Sequence, residues 1–373
     1  MDTLGYLNQK REIQSNILDY IDNESELSLA LLNKLFKEIK FNQNPSELKE
    51  TVLMLSSIIQ GHHRSSDFFK RIEKIILLLI KDIKKIMSAS EIYDIFQNSK
   101  QMLLFFIESN IISIDEFTEK SFIMNNFAAN FKNYNFLSFF LPEIRGKLEE
   151  WRIEQIERNV PEVKGNPPNV FDEKRRIGEN DTFIAQVIRK DEIEDFVSYV
   201  TQSNLNLDSN IPFSSFESNP LLNGKDLSLI EYATFCGSIQ IFQYLRLNNI
   251  KLKPSLWIYA IHSDNSDIIH LLEENEVVPE DKSYKECFYE SVKCHNINLS
   301  NYFLNNYFNN ENNEICEYSF KYYNFLVFPD DMVSNLVFFY CCEYNCFNFV
   351  KLLLKEKEID VNKMVILNQK KKI

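Results

Sequence analysis

Apolar side chains recur at intervals of three and four residues along most of the chain, which is the period of amphipathic helices. One stripe near the N-terminus consists of Leu27, Leu31, Leu32, Leu35, Phe36 and Ile39. Asn44, Pro45 and Glu47 stand at the N-cap, N1 and N3 positions of a further helix, and Gly61 is placed to end it. Roughly the first ninety residues are therefore predicted to form amphipathic helices.

The strongest stripe in this region places seven apolar residues on one face: Phe68, Ile72, Ile75, Ile76, Leu79, Ile83 and Ile86. Leu77 and Leu78 widen that face, so we expect this helix to be buried on two sides. Ser88 and Glu91 then form a predicted capping box, which opens a helix pair that resembles a degenerate copy of the repeat found further along the chain.

Residues 228–278 contain two copies of a pattern that predicts helix, turn, helix and turn. Ala233 in the first copy corresponds to Ala260 in the second, and the apolar run 241–245 corresponds to 268–272, each 27 positions later. Helix pairs this short can bury their apolar faces only against copies of themselves. We therefore predict an all-α protein built as a solenoid of stacked helix pairs.

Further copies extend this pattern in both directions. With Ala233 as the marker position, equivalents fall near Ile188, Ala260, Ser291 and Cys341. The longer gaps contain polar insertions, roughly Thr201 to Leu227 and Asn305 to Asp331, which are expected to form loops or to contain a degenerate unit. The chain is thereby divided into an N-terminal helical region (1–87), degenerate repeat-like helices (88–160), a linker or long loop (161–180), the main repeats (181–362) and a basic tail (363–373).

The linker is predicted from a cluster of helix-breaking residues, which are Pro161, Gly165, Pro167, Pro168 and Gly178. Arg175 and Arg176 in this segment lie beside four acidic residues. We interpret them as part of a solvated, self-compensated loop rather than as an anion site. Asp181 or Thr182 is expected to cap the helix that follows.

Composition favours a helical protein with a large apolar core. The 373 residues include 31 Phe and 17 Tyr, which a disordered chain would not carry, whereas 7 Gly and 10 Pro are too few for the turns of a many-stranded sheet. A formal net charge of −13 argues against a general nucleic-acid or acidic-membrane binder. The C-terminal basic run, Lys370 to Lys372, is interpreted as a solvated end.

The N-terminal stretch, the length of the apolar runs and the cysteines bear on where in the cell the protein is located. Charged residues occupy the N-terminal stretch where a signal peptide would need its apolar segment, and the apolar runs are shorter than a membrane span. All seven cysteines lie beyond residue 235, are odd in number and form no CxxC pair, which is typical of reduced thiols. We therefore expect a soluble cytoplasmic protein without membrane insertion; its oligomeric state is left open.

The cysteines are the first candidates for chemistry. Cys294 and His295 are adjacent, but neighbouring side chains on a helix point roughly 100 degrees apart and seldom pair. Cys341 and Cys346 do not have the spacing of a zinc pair, and Cys342 lies between them. Because Cys341 occupies the small-residue marker position, packing is the favoured role for it.

The remaining candidates also favour structural roles. His62 and His63 follow Gly61 in a predicted turn, and the spacing places no acidic partner beside them. The chain contains no phosphate-binding glycine loop and no GxSxG, HExxH or kinase-like set. The sequence therefore predicts no catalytic, cofactor or metal site.

The unit at 228–245 resembles the ankyrin repeat, whose pattern is a TPLHxA helix, a glycine turn and an apolar second helix. Ser228 to Ala233 stand where TPLHxA would, Gly237 stands at the turn, and Asp360 to Asn362 reproduce the D-V-N that follows a second helix. The order of segments from about residue 90 to 362 is similar to an uncharacterised family of protist ankyrin-repeat proteins with a helical N-terminal region. The resemblance implies an ankyrin-like α-solenoid without assigned catalysis.

The chain also departs from the ankyrin pattern. The proline of TPLH is missing in every copy, and its histidine is replaced by Glu231, Ile258 and Tyr289. Only Gly237 keeps the turn glycine. The other turns have, at or beside that position, residues that tolerate a left-handed backbone, namely Asp264, Asn296 and Asn345.

In an ankyrin-like stack, partners bind on the concave side, which the first helices form together with the finger loops. The ends of those helices would present Phe235, Cys236, His262, Ser263, Lys293, Cys294, Glu343 and Tyr344. We expect Phe235 to be the principal anchor. The leading hypothesis is a non-enzymatic scaffold that binds a protein partner, which the sequence does not identify. The alternatives are an adaptor or regulatory subunit whose N-terminal helices dock to an enzyme while the repeats select its target, and an enzyme with a divergent thiol site.

Overall fold

The structure of the chain is a computed structural model. It describes residues 2–62, 67–124, 131–160, 162–307, 312–329 and 335–355. Several predicted features lie outside these ranges: His63, Pro161, the D-V-N motif at 360–362 and the basic tail.

Over the described residues the protein is helical, which confirms the all-α prediction. The helices of the first half are α1 (Thr3–Asn23), α2 (Glu26–Ile39), α3 (Pro45–Gly61), α4 (Phe68–Ile86), α5 (Ala89–Phe96), α6 (Lys100–Glu108), α7 (Ile114–Met124), α8 (Phe131–Phe139), α9 (Leu141–Ile144), α10 (Glu150–Asn159), α11 (Glu162–Gly165) and α12 (Pro168–Ile177). Those of the second half are α13 (Phe183–Arg189), α14 (Ile193–Ser203), α15 (Leu229–Cys236), α16 (Ile239–Leu247), α17 (Leu256–Ser263), α18 (Ser266–Glu274), α19 (Lys285–Lys293), α20 (Ile297–Tyr307), α21 (Asn312–Lys321), α22 (Asn335–Glu343) and α23 (Phe347–Lys355). Single 3-10 turns lie at Arg145–Lys147 and Phe325–Val327.

Local sequence signals explain where many of these helices begin. The predicted capping box of Ser88 and Glu91 opens α5, and a second one, formed by Ser228 and Glu231, opens α15. Asn44 and Pro45 occupy the predicted N-cap and N1 positions of α3. Each of these signals acts within one helical turn; the capping boxes of α5 and α15 bond to free backbone groups, whereas the Asn44 side chain forms no capping bond.

The burial of α4 differs from the prediction. Ile72, Ile75 and Leu79 are buried, but Leu77 is 53% exposed, so the helix is not covered on two sides. A long apolar run does not by itself recruit a second neighbour, and isolated exposed leucines are common on protein surfaces.

The chain divides into two compact units. Unit 1 comprises residues 1–62, 74–86 and 281–373, and unit 2 comprises 63–73 and 87–280. The predicted segments follow the order of the sequence, whereas unit 1 combines helices from both ends of the chain. The difference arises because long-range packing, and not position in the chain, defines a unit.

In unit 1, α1 packs against α2 and α23, and α3 packs against α19 and α23. Polar side chains are buried in this contact region. Lys10 on α1 lies between Glu47 and Glu50 of α3, with its Nζ at 2.6 and 3.3 Å from their carboxylate oxygens. One turn further along α1, Gln14 donates to the Asn324 side chain at 2.8 Å and accepts from the Phe325 backbone N–H at 2.8 Å.

In unit 2, the first helices of successive pairs stack directly, with α13 against α15 and α15 against α17, while α14 packs against α16. The insertion between α14 and α15 contains one antiparallel bridge, from Asn210 to Ser228, and forms a loop, as expected. Successive first helices and successive second helices of unit 2 are therefore packing neighbours.

The predicted linker is largely helical, which corrects that interpretation. Pro168 begins α12, and Gly178 ends it with a φ of 70°, so both residues serve as helix boundaries. Phe171 and Arg175 are buried. The Arg175 guanidinium forms hydrogen bonds to both carboxylate oxygens of Glu143, at 2.6 and 2.8 Å, so it does not lie in a solvated loop.

Candidate interaction face

A repeated turn sets the positions of the predicted interface residues. Six helices, α13, α15, α17, α19, α21 and α22, are each followed within two residues by a residue with positive φ. In each case the residue four positions before that one is buried. The positive-φ residues are Asp191, Gly237, Asp264, His295, Tyr323 and Asn345. The corresponding buried markers are Val187, Ala233, Ala260, Ser291, Ser319 and Cys341.

Two of these markers differ from the positions expected from the sequence. The turn at Asp191 shifts the marker of its copy by one residue, from Ile188 to Val187. The insertion at 305–331 contains a helix, α21, whose end forms the same turn: the Asn324 N–H donates to the Ser319 carbonyl at 2.8 Å. The Ser238 N–H makes the equivalent bond to Ala233 at 2.9 Å. The insertion is therefore helical in part; because the same turn also ends α14 and α16, it does not by itself identify a repeat unit.

In unit 2 the predicted interface residues are largely covered. Phe235 is only 6% exposed and His262 only 4%, and the centroids of their rings lie 5.9 Å apart. Cys236 and Ser263 are partly exposed, and the Ser263 hydroxyl donates to the Ala260 carbonyl at 2.7 Å. Phe235 is therefore not the exposed anchor that we expected, because its ring packs on the next first helix.

In unit 1 the predicted residues differ in exposure. Glu343 is exposed and Tyr344 is partly exposed. Lys293 is also partly exposed, and its Nζ lies 2.8 Å from Glu290. Cys294 is buried and does not present its side chain to a partner.

Four tyrosines on or directly after α19, α21 and α22 form what we call the tyrosine cluster: Tyr289, Tyr318, Tyr322 and Tyr344. The Tyr289 and Tyr318 rings are stacked, with centroids 3.7 Å apart and planes 7° apart. The Tyr318 and Tyr322 centroids lie 6.0 Å apart, and Lys321 Nζ lies 5.2 and 5.3 Å from them. All four tyrosines are partly exposed. The cluster therefore offers a preorganised aromatic surface at low entropic cost.

The electrostatics connect Tyr344 to this cluster. Burial raises the pKa of the Tyr344 hydroxyl, and the negative charges of Glu343 and Glu317 raise it further. Tyr318 and Tyr322 contribute in the same direction, and α21 packs against α22, the helix that Tyr344 follows. Burial of the Tyr322 hydroxyl and, to a smaller extent, the negative charge of Glu290 raise its pKa to about 12.

The surroundings of the cluster are acidic. The carboxylates that act on its tyrosines are Glu286, Glu290, Glu314, Glu317 and Glu343. Three nearby cations are already engaged: Lys293 pairs with Glu290, Lys285 lies 3.3 Å from Glu314, and Lys321 lies over the Tyr318 and Tyr322 rings. The surface therefore combines aromatic rings with an excess of negative charge, a combination that favours cationic ligands.

The adjacent Cys294 and His295 do not form a thiol and base pair. The His295 ring nitrogens face Gln14 Nε2 at 2.9 Å and Ser57 Oγ at 3.4 Å, so both have polar partners on α1 and α3. The imidazole consequently orients parts of the unit 1 core instead of activating the neighbouring sulfur.

The other candidate groups also contribute to packing. Cys341 and Cys346 are buried, and burial raises their pKa values well above the ordinary thiol value, whereas Cys342 is exposed. His62 Nε2 lies 2.7 Å from Asp22, and its Nδ1 lies 2.8 Å from a backbone carbonyl at the end of α19. Tertiary packing thus supplies the acidic neighbour that the spacing around His62 did not indicate.

Four residues of this face, Tyr289, Tyr318, Lys321 and Tyr322, were not predicted as interface residues from the sequence; the last three lie on or directly after α21, in an insertion. A signal was nevertheless present. Asn324 follows Ser319 by five residues, just as Asn296 follows Ser291. Lys321 and Tyr322 then occupy the two positions that Lys293 and Cys294 occupy in the preceding unit.

Comparison of the chain with protein-family models, curated proteins and solved structures finds no match. No helix in the described ranges combines the length and apolar character needed to cross a bilayer. The assignment of an interaction face therefore depends on its geometry alone.

Proposed function

We propose that this protein is a non-enzymatic scaffold, in which the tyrosine cluster of unit 1 binds a basic segment of a partner protein. The observation that carries the proposal is the stacked, partly exposed set of tyrosine rings surrounded by carboxylates. Arginine and lysine side chains bind aromatic faces and carboxylates at the same time, so one basic segment satisfies both features.

The proposal includes an ankyrin-like arrangement of the helix pairs. It is supported by the recurrence of a buried marker followed four residues later by a left-handed turn, as at Ala233 with Gly237 and at Ala260 with Asp264. It is also supported by the direct stacking of α13, α15 and α17. Partner binding on the exposed ends of first helices is then the expected use of the fold.

A cytoplasmic location belongs to the same proposal. All seven cysteines are free thiols, and five of them are buried: Cys287, Cys294, Cys316, Cys341 and Cys346. Buried thiols of this kind are compatible with a reducing compartment.

The test is quantitative capture of partners from native cells by proximity labelling, comparing the wild-type protein with Tyr322→Ala. Loss of a central aromatic anchor costs roughly 2 kcal/mol or more, which corresponds to about a thirtyfold weaker complex. We expect the partners that depend on this face to be lost, and we expect them to share exposed basic segments. Reversal of charge in Glu343→Lys should weaken the same partners.

Tyr307→Ala is the matched control. Tyr307 lies on α20, a second helix, and stacks on Tyr284 with ring centroids 3.9 Å apart. This substitution therefore removes a comparable aromatic contact away from the cluster. Equal labelling by the Tyr322→Ala and Tyr307→Ala proteins, with unchanged melting temperatures, would show that the tyrosine cluster is not the interface.

The adaptor alternative assigned docking to residues 1–87, where Leu4 and Leu27 are exposed but most of the apolar side chains of α1 and α2 are covered. Within unit 1, Leu32 and Phe36 of α2 and Ile13 and Ile17 of α1 are already buried. Apolar faces that are engaged in the core of a unit are not free to bind a second protein.

A further inference from the structure

Two buried histidines meet the backbone turn that ends α19 in unit 1. His62, which directly follows α3, is 2% exposed, and His295, which lies in the turn itself, is 3% exposed. The end of α3 approaches this turn so closely that a Cβ added at Gly61 would lie 2.0 Å from the Lys293 carbonyl oxygen. The hydrogen bonds of the two imidazole rings therefore determine how the end of α3 is held against α19.

Both ring nitrogens of His62 face oxygen atoms that can only accept. Nδ1 lies 2.8 Å from the Cys294 carbonyl oxygen, and Nε2 lies 2.7 Å from Oδ1 of the Asp22 carboxylate. A neutral imidazole has one N–H, so its other nitrogen would direct a lone pair at one of these oxygens. The two hydrogen bonds together require the imidazolium. Cys294 is also the C-cap residue of α19, where the helix dipole favours a positive charge.

Two side-chain amides beside His295 have orientations that backbone groups fix. Oε1 of Gln14 accepts a hydrogen bond from the Phe325 N–H at 2.8 Å, so the amide nitrogen is directed away from that group. Nδ2 of Asn324 donates to the Val292 carbonyl at 2.8 Å, which leaves its Oδ1 to accept from Gln14 Nε2 at 2.8 Å. Neither amide can be turned over without losing these bonds.

His295 is constrained to the neutral tautomer with its proton on Nε2. The Gln14 amide nitrogen lies 2.9 Å from Nδ1 of His295, and an amide nitrogen only donates, so Nδ1 is the acceptor and carries no proton. Nε2 lies 3.4 Å from the Ser57 hydroxyl oxygen, which in turn donates to the Tyr322 carbonyl at 2.6 Å. His295 is therefore neutral, the opposite of His62, and Ser57 connects it to the backbone of the tyrosine cluster.

Asp22 on α1 is a charged group bonded directly to one of the two rings, and the Cys294 thiol is buried on the turn between them. A proton gained or lost at either ring acts first on the groups bonded to it, which are Asp22, the Cys294 carbonyl and the Gln14 amide. Further charged groups on the surrounding elements have other partners: Lys293 with Glu290, Lys74 with Glu24, Lys10 with Glu47 and Glu50, and Arg11 with the Phe325 carbonyl.

We propose that the contact of α3 with the end of α19 is a pH-sensitive lock, which is complete only while His62 carries two ring protons and His295 carries one. As pH rises, His62 loses a proton, and one of its two hydrogen bonds becomes a repulsion between lone pairs. As pH falls, His295 gains a proton on Nδ1, which then faces the Gln14 amide donor. Each change loosens α3 from α19, so the Tyr322 carbonyl is held most firmly between the two limits. The proposal does not depend on the tyrosine cluster being an interface.

The first test observes the ring protons directly in the full chain. In protein whose histidine rings carry a nitrogen isotope label, NMR correlation spectra at pH 7 distinguish protonated ring nitrogens from bare ones. Signals are assigned by through-bond correlation to the backbone of the wild type, so the result does not depend on a variant that folds poorly. We expect two protonated nitrogens for His62 and one for His295. A bare nitrogen on His62, or two protonated nitrogens on His295, would overturn the proposal.

The second test follows the urea midpoint of unfolding between pH 5 and 9, with hydrogen exchange of α3 and α19 peptides to localise the effect to unit 1. His62→Gln is neutral at every pH, so the advantage of the wild type over it should shrink as pH rises. The advantage of the wild type over His295→Gln should shrink as pH falls, because the native ring must then accept a proton that it has no room for.

His270→Gln is the matched control, because His270 is exposed and has only Glu273 of its own helix, at 3.4 Å, as its ion-pair partner among the described residues. Its pH profile should run parallel to that of the wild type. A His62→Gln profile parallel to the wild type, or a His270→Gln profile that departs from the wild type as much as His62→Gln does, would count against the lock and reject it.

Discussion

Replacing Lys10 with methionine should destabilise unit 1 far more than the loss of a surface charge would. Lys10 is fully buried on α1, with its Nζ 2.6 Å from Glu47 and 3.3 Å from Glu50. Burial lowers the pKa of the ammonium group, but Glu50 and Glu47 outweigh this effect and raise it overall. The group is therefore charged at neutral pH and is matched by two carboxylates that are themselves buried.

The magnitude follows from what remains after the substitution. Methionine has nearly the length of the lysine stem, so little volume is lost, but two buried carboxylates lose the ammonium group that they share. Removal of one member of a buried ion pair costs roughly 3 to 5 kcal/mol. Because folded domains are stable by only about 5 to 15 kcal/mol, this is a large part of the total.

The assay is urea unfolding at pH 7, followed by helical circular dichroism, with hydrogen exchange of α1 peptides to localise the loss to unit 1. The triple variant Lys10→Met/Glu47→Gln/Glu50→Gln should recover much of the lost stability. None of the three buried charges then remains. In the wild type the Asn348 N–H donates to Glu50 Oε1 at 2.9 Å, and the side-chain oxygen of a glutamine at position 50 can still accept this hydrogen bond.

Lys34→Met provides the matched control. Lys34 is largely exposed, and its Nζ lies 3.9 Å from Glu38 on the same helix, so its loss should cost at most about 0.5 kcal/mol. A cost for Lys10→Met no larger than that of this control, or a triple variant as unstable as Lys10→Met, would refute the assignment of a buried, charged Lys10.

Two further predictions concern close packing and pH. Gly61→Ala should destabilise unit 1 by about 1 to 3 kcal/mol in urea unfolding, because the new Cβ would lie 2.0 Å from the Lys293 carbonyl oxygen. Gly146 has open space around it, so Gly146→Ala should not change the free energy of unfolding. Equal costs for the two substitutions would contradict the close approach of Gly61 to α19. Burial raises the pKa of the Cys236 thiol to about 12, so its contribution to stability is fully present below the ordinary thiol value near 9 and is lost as pH rises from there through about 12. Between pH 8 and 10.5 the melting temperature of the wild type should therefore fall more steeply than that of Cys236→Ala, and parallel curves would show that the thiol is not linked to folding.

Helix boundaries were the most predictable part of the fold. Pro45, Ser88 and Glu91 act on backbone groups within one turn of themselves, and the structure uses them as expected. The same local signals were misleading at Pro168 and Gly178, because a proline and a glycine ten residues apart are equally compatible with a loop and with the two ends of a short helix. Only the burial of Phe171 and Arg175 between them favours the helix.

The interaction face was predicted only in part. The turn pattern led to Lys293, Glu343 and Tyr344, which lie at or beside the tyrosine cluster. The same pattern led to Phe235, which is buried. Periodicity gives the side of a helix on which a residue lies, but the exposure of that side depends on which neighbour packs there.

The sequence alone determined that this chain is helical, where many of its helices begin and end, and that short helix pairs recur, since those properties depend on contacts between residues a few positions apart. Tertiary structure decided which helices share a core. Gln14 bonds Asn324, 310 positions away, and Lys10 lies between two glutamates of another helix. No local pattern encodes such pairs, because the partners of a buried polar group are chosen by packing across the whole unit.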